Sequence, residues 1–216
     1  TKATVSLSVA DKTYDGTTDL TDQVTITTGV GAETLTYSGA TAASSHVSGP
    51  DANTATADNY MNAITLVNAT DGSGGLASNY QLPTLNVANA PVTITAATLT
   101  PTVSNSGYSQ VYDGDTTADL TPTYSFSGLV TGDTDATLTN TSKVYNDKDV
   151  NDANTITVSG LSIAAITGTN SSETTDYVLD ATSKTVSAAI TPKSITTSGL
   201  TADDKVYDGT TTVLSF

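Results

Sequence analysis

A long internal period constrains this chain more than any other feature. The segment Asp11-Lys12-Thr13-Tyr14-Asp15-Gly16-Thr17-Thr18 returns as Gln110-Val111-Tyr112-Asp113-Gly114-Asp115-Thr116-Thr117 and again as Asp204-Lys205-Val206-Tyr207-Asp208-Gly209-Thr210-Thr211. The Tyr-Asp-Gly triplets thus stand 98 and then 95 positions apart. Ser78-Asn79-Tyr80-Gln81-Leu82 is answered by Thr175-Asp176-Tyr177-Val178-Leu179, and Val92-Thr93-Ile94-Thr95-Ala96 by Ala188-Ala189-Ile190-Thr191-Pro192. Three markers at one spacing define units far longer than the roughly 20–50 residues of solenoid repeats and long enough for small separate cores. The expected division is a first unit at residues 1–97, a second at 98–192, and the start of a third at 193–216. The chain reads as an excerpt of something longer, whose last two dozen residues complete no domain alone.

Composition says what the units are made of. Thr, Ala, Ser and Asp number 46, 25, 23 and 20 and fill about half of the 216 residues, whereas Glu occurs twice and Arg not at all. Helix surfaces draw on Glu, Lys, Arg and Leu, while Thr suits strands, and Asp and Gly belong to turns. Apolar residues alternate with Ser and Thr at Val5, Leu7 and Val9, at Val24 and Ile26, at Val92 and Ile94, and at Ile156 and Val158, followed by Leu161 and Ile163. That period of two marks half-buried strands. Turn signals separate them at Asp15-Gly16, Asp71-Gly72, Asp113-Gly114 and Gly132-Asp133. The pattern predicts an all-β protein of six to eight strands per unit, arranged as a sandwich. A β-grasp arrangement with one short helix is the structural alternative.

Charge and missing residue types narrow the function. A net charge of -15 repels phosphate backbones and anionic lipid, and no apolar run reaches the roughly 18 residues of a membrane-spanning helix. Nucleic-acid partners and direct membrane insertion are therefore not expected. With no Cys and one His, His46, there is no disulfide framework and no Cys-based metal site. His46 itself reads as an ordinary strand or loop residue. No pair among the twenty Asp is singled out for glycoside chemistry, so no catalytic residue and no enzyme activity are expected.

Each remaining motif reads first as architecture. In Tyr14-Asp15-Gly16, Tyr112-Asp113-Gly114 and Tyr207-Asp208-Gly209 the Tyr buries a ring with its hydroxyl at the rim, and Asp-Gly supplies a side-chain-capped turn with a residue free to take positive φ. Tyr80 and Tyr177 read as inward-facing residues near the start of a late strand. Asn146-Asp147-Lys148-Asp149-Val150-Asn151-Asp152 opens like a calcium loop, because alternating oxygen ligands wrap a hard cation. It departs from that pattern with Asp152 where a Gly belongs and Val158 where a bidentate Glu belongs. It reads as a solvated acidic turn, with Asp147, Asp149, Asn151 and Asp152 as the calcium candidates if a cofactor exists at all. The counterpart around Ser48-Gly49-Pro50-Asp51 lacks the string. Sequons at Asn68-Ala69-Thr70, Asn140-Thr141-Ser142 and Asn170-Ser171-Ser172 are no more numerous than a Ser/Thr-rich chain produces by chance.

Lys205-Val206-Tyr207-Asp208-Gly209-Thr210-Thr211, Asn79-Tyr80-Gln81-Leu82 and Ile190-Thr191-Pro192-Lys193 together resemble the YDG domain of large bacterial surface proteins, such as filamentous-haemagglutinin-like exoproteins. The resemblance spans two full copies and one partial copy, and unit one departs from it by closing on Ile94-Thr95-Ala96-Ala97. It implies tandem Ig-like modules without enzymatic activity, secreted to the bacterial cell surface and associated with the outer membrane. In that setting they would form a stalk that projects an adhesive region and supports adhesion or biofilm formation. Absence of Cys, acidity and short junctions suit an exported chain of this kind. The implied partners are neighbouring repeats of the same chain. The alternative is that the repeats themselves bind polysaccharide or other copies of the protein, as a matrix or filament-forming module. A calcium-stiffened linker would instead gather acidic residues at unit starts, where Asp11, Asp203 and Asp204 lie but Ser109-Gln110 occupies the matching place.

Overall fold

The computed structural model describes residues 1–48, 59–199 and 204–211. The protein is all-β, with several sheets and only two three-residue 3-10 turns, Ala77–Asn79 and Thr174–Asp176, among the described residues. Each turn delivers the chain into a late strand that opens on a tyrosine, Tyr80–Gln81 and Tyr177–Leu179.

Strand pairings in the amino-terminal half have counterparts in the carboxy-terminal half. Strand Ala3–Thr4 runs parallel to Tyr80–Gln81, with Ala3 opposite Tyr80; strand Ala97–Val103 runs parallel to Tyr177–Leu179, with Ala97 opposite Tyr177. Ser6–Val9 pairs antiparallel with Val24–Thr27, as Ala97–Val103 does with Tyr124–Ser127. Lys12–Thr13 lies parallel to Ile94–Thr95, as Tyr108–Val111 does to Ser183–Thr191, so Lys12 and Gln110 face Ile94 and Ile190. The hairpins Thr36–Ala42 with Met61–Val67 and Asp133–Thr139 with Ser162–Gly168 both carry register shifts, which bend a strand locally. Around the carboxy-terminal core, Thr155–Ser159 sits between Ser142–Tyr145 and Ser183–Thr191. The expected alternation holds at Ser6–Val9 and Thr155–Ser159, where Leu7 is buried between exposed Ser6 and Ser8 and Ile156 and Val158 are fully buried, whereas Val92 and Leu161 are buried just outside any strand.

Pro101 shows how the ladder tolerates its own exceptions. Leu99 O accepts from Asp180 N just past the end of strand Tyr177–Leu179. Pro101, two residues on, faces the same side where the parallel partner has ended, so its missing N–H breaks no ladder bond.

Two apolar clusters fill the interior. One gathers Tyr14, Leu20, Met61, Tyr80 and Ile94, and it continues past residue 97 to take in Leu99, Ala136 and Tyr177. The other is built on Leu120, Tyr145, Ile156, Val158 and Ile190. Burying a large apolar side chain contributes roughly 1.5–3 kcal/mol, so a cluster that crosses from one strand set to the other couples them.

Beyond Thr191 the described residues form no strand and are exposed. Ile195 is exposed, whereas Val5 and Leu99, in the corresponding places of the two preceding strand sets, are buried. Asp203 and the apolar end Val213-Leu214-Ser215-Phe216 lie outside the described residues.

Candidate functional site

The Tyr-Asp-Gly loop is built by local chemistry, which is why it forms three times. Gly16, Gly114 and Gly209 take φ of 79°, 91° and 78°, a region open to Gly without a Cβ penalty. Asp15 Oδ1 accepts from the Thr17 backbone N–H at 2.9 Å and from its hydroxyl at 2.8 Å. Asp208 Oδ1 accepts the same pair from Thr210 at 2.9 and 3.0 Å. Lys12 Nζ closes the first loop by donating to Thr17 O and Asp19 O and pairing with Asp15 at 2.8 Å. Lys205 does likewise through Thr210 O at 3.1 Å and Asp208 at 2.9 Å. In the second loop neutral Gln110 takes the Lys position, donating to Asp113 Oδ2 and Thr117 O. The loop therefore keeps its shape with either a cation or an amide.

What differs among the three loops is what covers them. Tyr14 is 2% exposed, Tyr112 is half-buried, and Tyr207 is 94% exposed. The cover over Tyr14 comes from the carboxy-terminal half: its ring meets Tyr177 edge-on, with centroids 5.6 Å apart, and its hydroxyl lies 2.6 Å from Ser172 Oγ. Such edge-to-face pairs contribute about 0.5–1.5 kcal/mol beyond area burial. Ser172 Oγ and the Tyr177 hydroxyl each donate to Asp133 Oδ2 at 2.6 Å, and Val130 N–H donates to the Tyr177 oxygen. A Cβ placed on Gly16 would lie 2.7 Å from the Asn170 side chain, whereas one on Gly114 or Gly209 would meet nothing within 4 Å. Burial, opposed by the Ser172 bond and supported by nearby Asp176 and Asp133, raises the Tyr14 hydroxyl above its ordinary pKa. Burial together with the Asp133 bond drives the Tyr177 hydroxyl strongly upward.

A second contact completes this junction. Asp176 is fully buried and accepts from Glu173 N at 2.8 Å, from Val47 N at 2.9 Å and from His46 Nδ1 at 2.8 Å. With Asp176 ionised, the Nδ1 atom carries the proton, because a carboxylate can only accept. A buried carboxylate needs such partners to be tolerated. Here two of the three come from the opposite half of the molecule. Ile94 and Thr95, from the closing strand of the amino-terminal set, and Thr174, Tyr177 and Val178 line the groove alongside.

The other candidates lie away from this junction. Tyr80 starts a late strand with its hydroxyl 2.6 Å from Glu33 Oε2, the bond that Tyr177 makes to Asp133. Asp147 Oδ1 accepts from Asp149 N at 2.8 Å, and Asp149 pairs with Lys148 at 3.1 Å. Asn146 ties the rest of that loop, donating to Asp152 O and accepting from Asn154 N and Thr155 N. Asp147, Asp149, Asn151 and Asp152 thus sit in a turn closed by its own bonds, and among the described residues no group of three or more His, Asp or Glu is placed to hold a metal. The Gly49-Pro50-Asp51 counterpart lies outside the described residues. Sequence reasoning missed the junction roles of His46, Asp133, Asn170, Ser172 and Asp176. The one available signal was Asp176 in place of Asn79 within an otherwise matching marker.

Residues 94–185 match the YDG domain family. No curated protein and no solved structure matches the chain. The match begins at Ile94, inside the strand that closes on Lys12–Thr13, and ends within the strand Ser183–Thr191.

Proposed function

We propose that this chain is a stalk segment of a large secreted bacterial cell-surface adhesin: two tandem Ig-like repeats, residues 1–97 and 98–192, followed by the start of a third at 193–216. It has no catalytic role. Its work is reach and stiffness, holding an adhesive region away from the cell and so supporting adhesion or biofilm formation. The observation that carries this reading is the joint between the repeats. Tyr14 packs edge-on against Tyr177, and Asp176 is buried under His46 and Val47, so the motif loop of one repeat is held by the body of the next. Short junctions with such contacts turn beads into a semi-rigid rod, where a flexible linker would leave them tumbling. The YDG match over residues 94–185 supports the module type. A polysaccharide-binding face wants several exposed tyrosines, and among the described residues Tyr207 is the one tyrosine that is broadly exposed.

Small-angle X-ray scattering of the whole chain, in calcium and then in excess chelator, tests the reading. An elongated profile extrapolated to zero concentration and unchanged by chelation is expected. A compact particle, or one that contracts when calcium is removed, overturns a passive, metal-independent stalk.

A further inference from the structure

The joint has two halves, a motif loop and a receiving face. Among the described residues the Tyr112 and Tyr207 loops are both unmated, but only the Tyr112 loop is presented by paired strands as the Tyr14 loop is, and one receiving face is unmated as well. The mated loop is Tyr14-Asp15-Gly16, covered by Asn170 and Ser172. The unmated loop on paired strands is Tyr112-Asp113-Gly114, with the same Asp-centred closure, Asp115 N to Asp113 Oδ1 at 2.9 Å, and open space over Gly114. Tyr14 N and Tyr112 N donate to the equivalent carbonyls Thr95 O and Thr191 O, both at 2.8 Å. The two loops are therefore presented from the same place on their strands. Beside the open one, Val111 is 56% exposed.

The receiving faces correspond just as closely. In the mated face Asp133 N bonds Val130 O at 3.0 Å and Asp133 Oδ2 takes the Tyr177 hydroxyl at 2.6 Å. In the other, Glu33 N bonds Val30 O at 3.0 Å and Glu33 Oε2 takes the Tyr80 hydroxyl at 2.6 Å. Val130 is partly buried, whereas Val30 is 43% exposed and Leu76, at the turn leading to Tyr80, 48% exposed. Isolated exposed aliphatics need no explanation. Val30, exposed where its counterpart Val130 is partly covered, does.

We propose that the Tyr112-Asp113-Gly114 loop docks on the Glu33–Tyr80 face of a second copy of this chain, repeating the internal joint between molecules. The proposal rests on the tandem-repeat reading above, and continuity with the internal joint identifies the occupant. A loop meeting a different face is a heterologous contact, which propagates head to tail as an open filament where successive rotations do not close a ring. Gly75 and Asn79 stand where the mated face has Ser172 and Asp176, so the contact between copies lacks one hydroxyl anchor and has a neutral amide in place of a carboxylate, and is weaker than the internal one. Two acidic molecules of net charge -15 also repel, and salt shortens that repulsion, from a Debye length of roughly 10 Å at 0.1 M to about 3 Å at 1 M. Association therefore strengthens as salt is raised.

Sedimentation of the whole chain over rising concentration, at low and at high salt, is the test, with Val30→Asp and Tyr112→Ala as variants. The wild type is expected to grow without a fixed end point. Each variant alone should weaken association at least tenfold. A mixture of the two restores a single one-to-one pair, because one still offers the loop and the other still offers the face. Val30 is exposed, so its variant reports even if Tyr112→Ala fails to fold. A wild type that stays monomeric at both salts, growth indifferent to Val30→Asp, or a mixture that forms no pair when both variants are folded overturns the proposal. A monomer whose scattering at zero concentration remains elongated leaves the stalk reading standing, so the two failures are distinguishable.

Discussion

At the scale of single residues, position in the repeat does not fix what a residue does. Gly16 and Gly114 occupy the same turn with φ of 79° and 91°, and a Cβ at either is strained by roughly 1–2 kcal/mol. Only at Gly16 does that Cβ also run into Asn170. Gly16→Ala is therefore expected to lower the urea midpoint clearly more than Gly114→Ala, and equal losses would mean that the contact across the joint adds nothing. The sequence made the turn legible, because Asp-Gly is a local signal that needs no partner. It left Asn170 and Ser172 invisible, since they act on a loop more than 150 positions away and look like any other polar loop residues. Tyr14 lies between these cases. Its burial was legible, but the source of the cover was not, because the other half of the chain provides it.

At the scale of elements, strands were read well where Ser and Thr alternate with aliphatics, as at Ser6–Val9, Val24–Thr27 and Thr155–Ser159. The period of two is a property of the strand itself. The parallel pairings of Ala3–Thr4 and Lys12–Thr13 were not legible, because strands this short are fixed by partners some eighty residues away. Loops carry the acid sensitivity. Bonds from the Thr34 hydroxyl and Ser73 hold Asp71 at about 2, the Thr21 hydroxyl lowers Asp19, and Lys205 lowers Asp208. Groups lowered in the folded state contribute stability that is present above their ordinary pKa near 3.8 and lost as pH falls toward the folded value. The raised tyrosines act oppositely: burial first, then the Asp133 bond, favours the neutral Tyr177, so its contribution is present below about pH 10 and lost as pH rises further. Thermal stability measured from pH 2 to 12 should show a plateau between about pH 5 and 9 with losses on both sides. A midpoint that still climbs below pH 4 contradicts this assignment of the loop carboxylates.

At the scale of the whole molecule, the two strand sets are joined by a short connection, Thr95 to Ala97, and by a buried carboxylate that neither half satisfies alone. Removing the charge of a buried, fully bonded carboxylate leaves its donors poorly matched, at a cost of roughly 1–3 kcal/mol, and here the loss falls on the joint more than on either core. The repeat was plain in the sequence because its markers are local words. The joint was not, because it exists only between words. Spin labels at exposed Thr65 and Ser187, one on each side, read that joint directly by pulsed dipolar distance measurement. A single narrow distance in the native chain, unchanged by chelator and broadened by Asp176→Asn, is expected of a stalk stiffened by side chains. A broad distribution in the native chain, indistinguishable from that of Asp176→Asn, would contradict it.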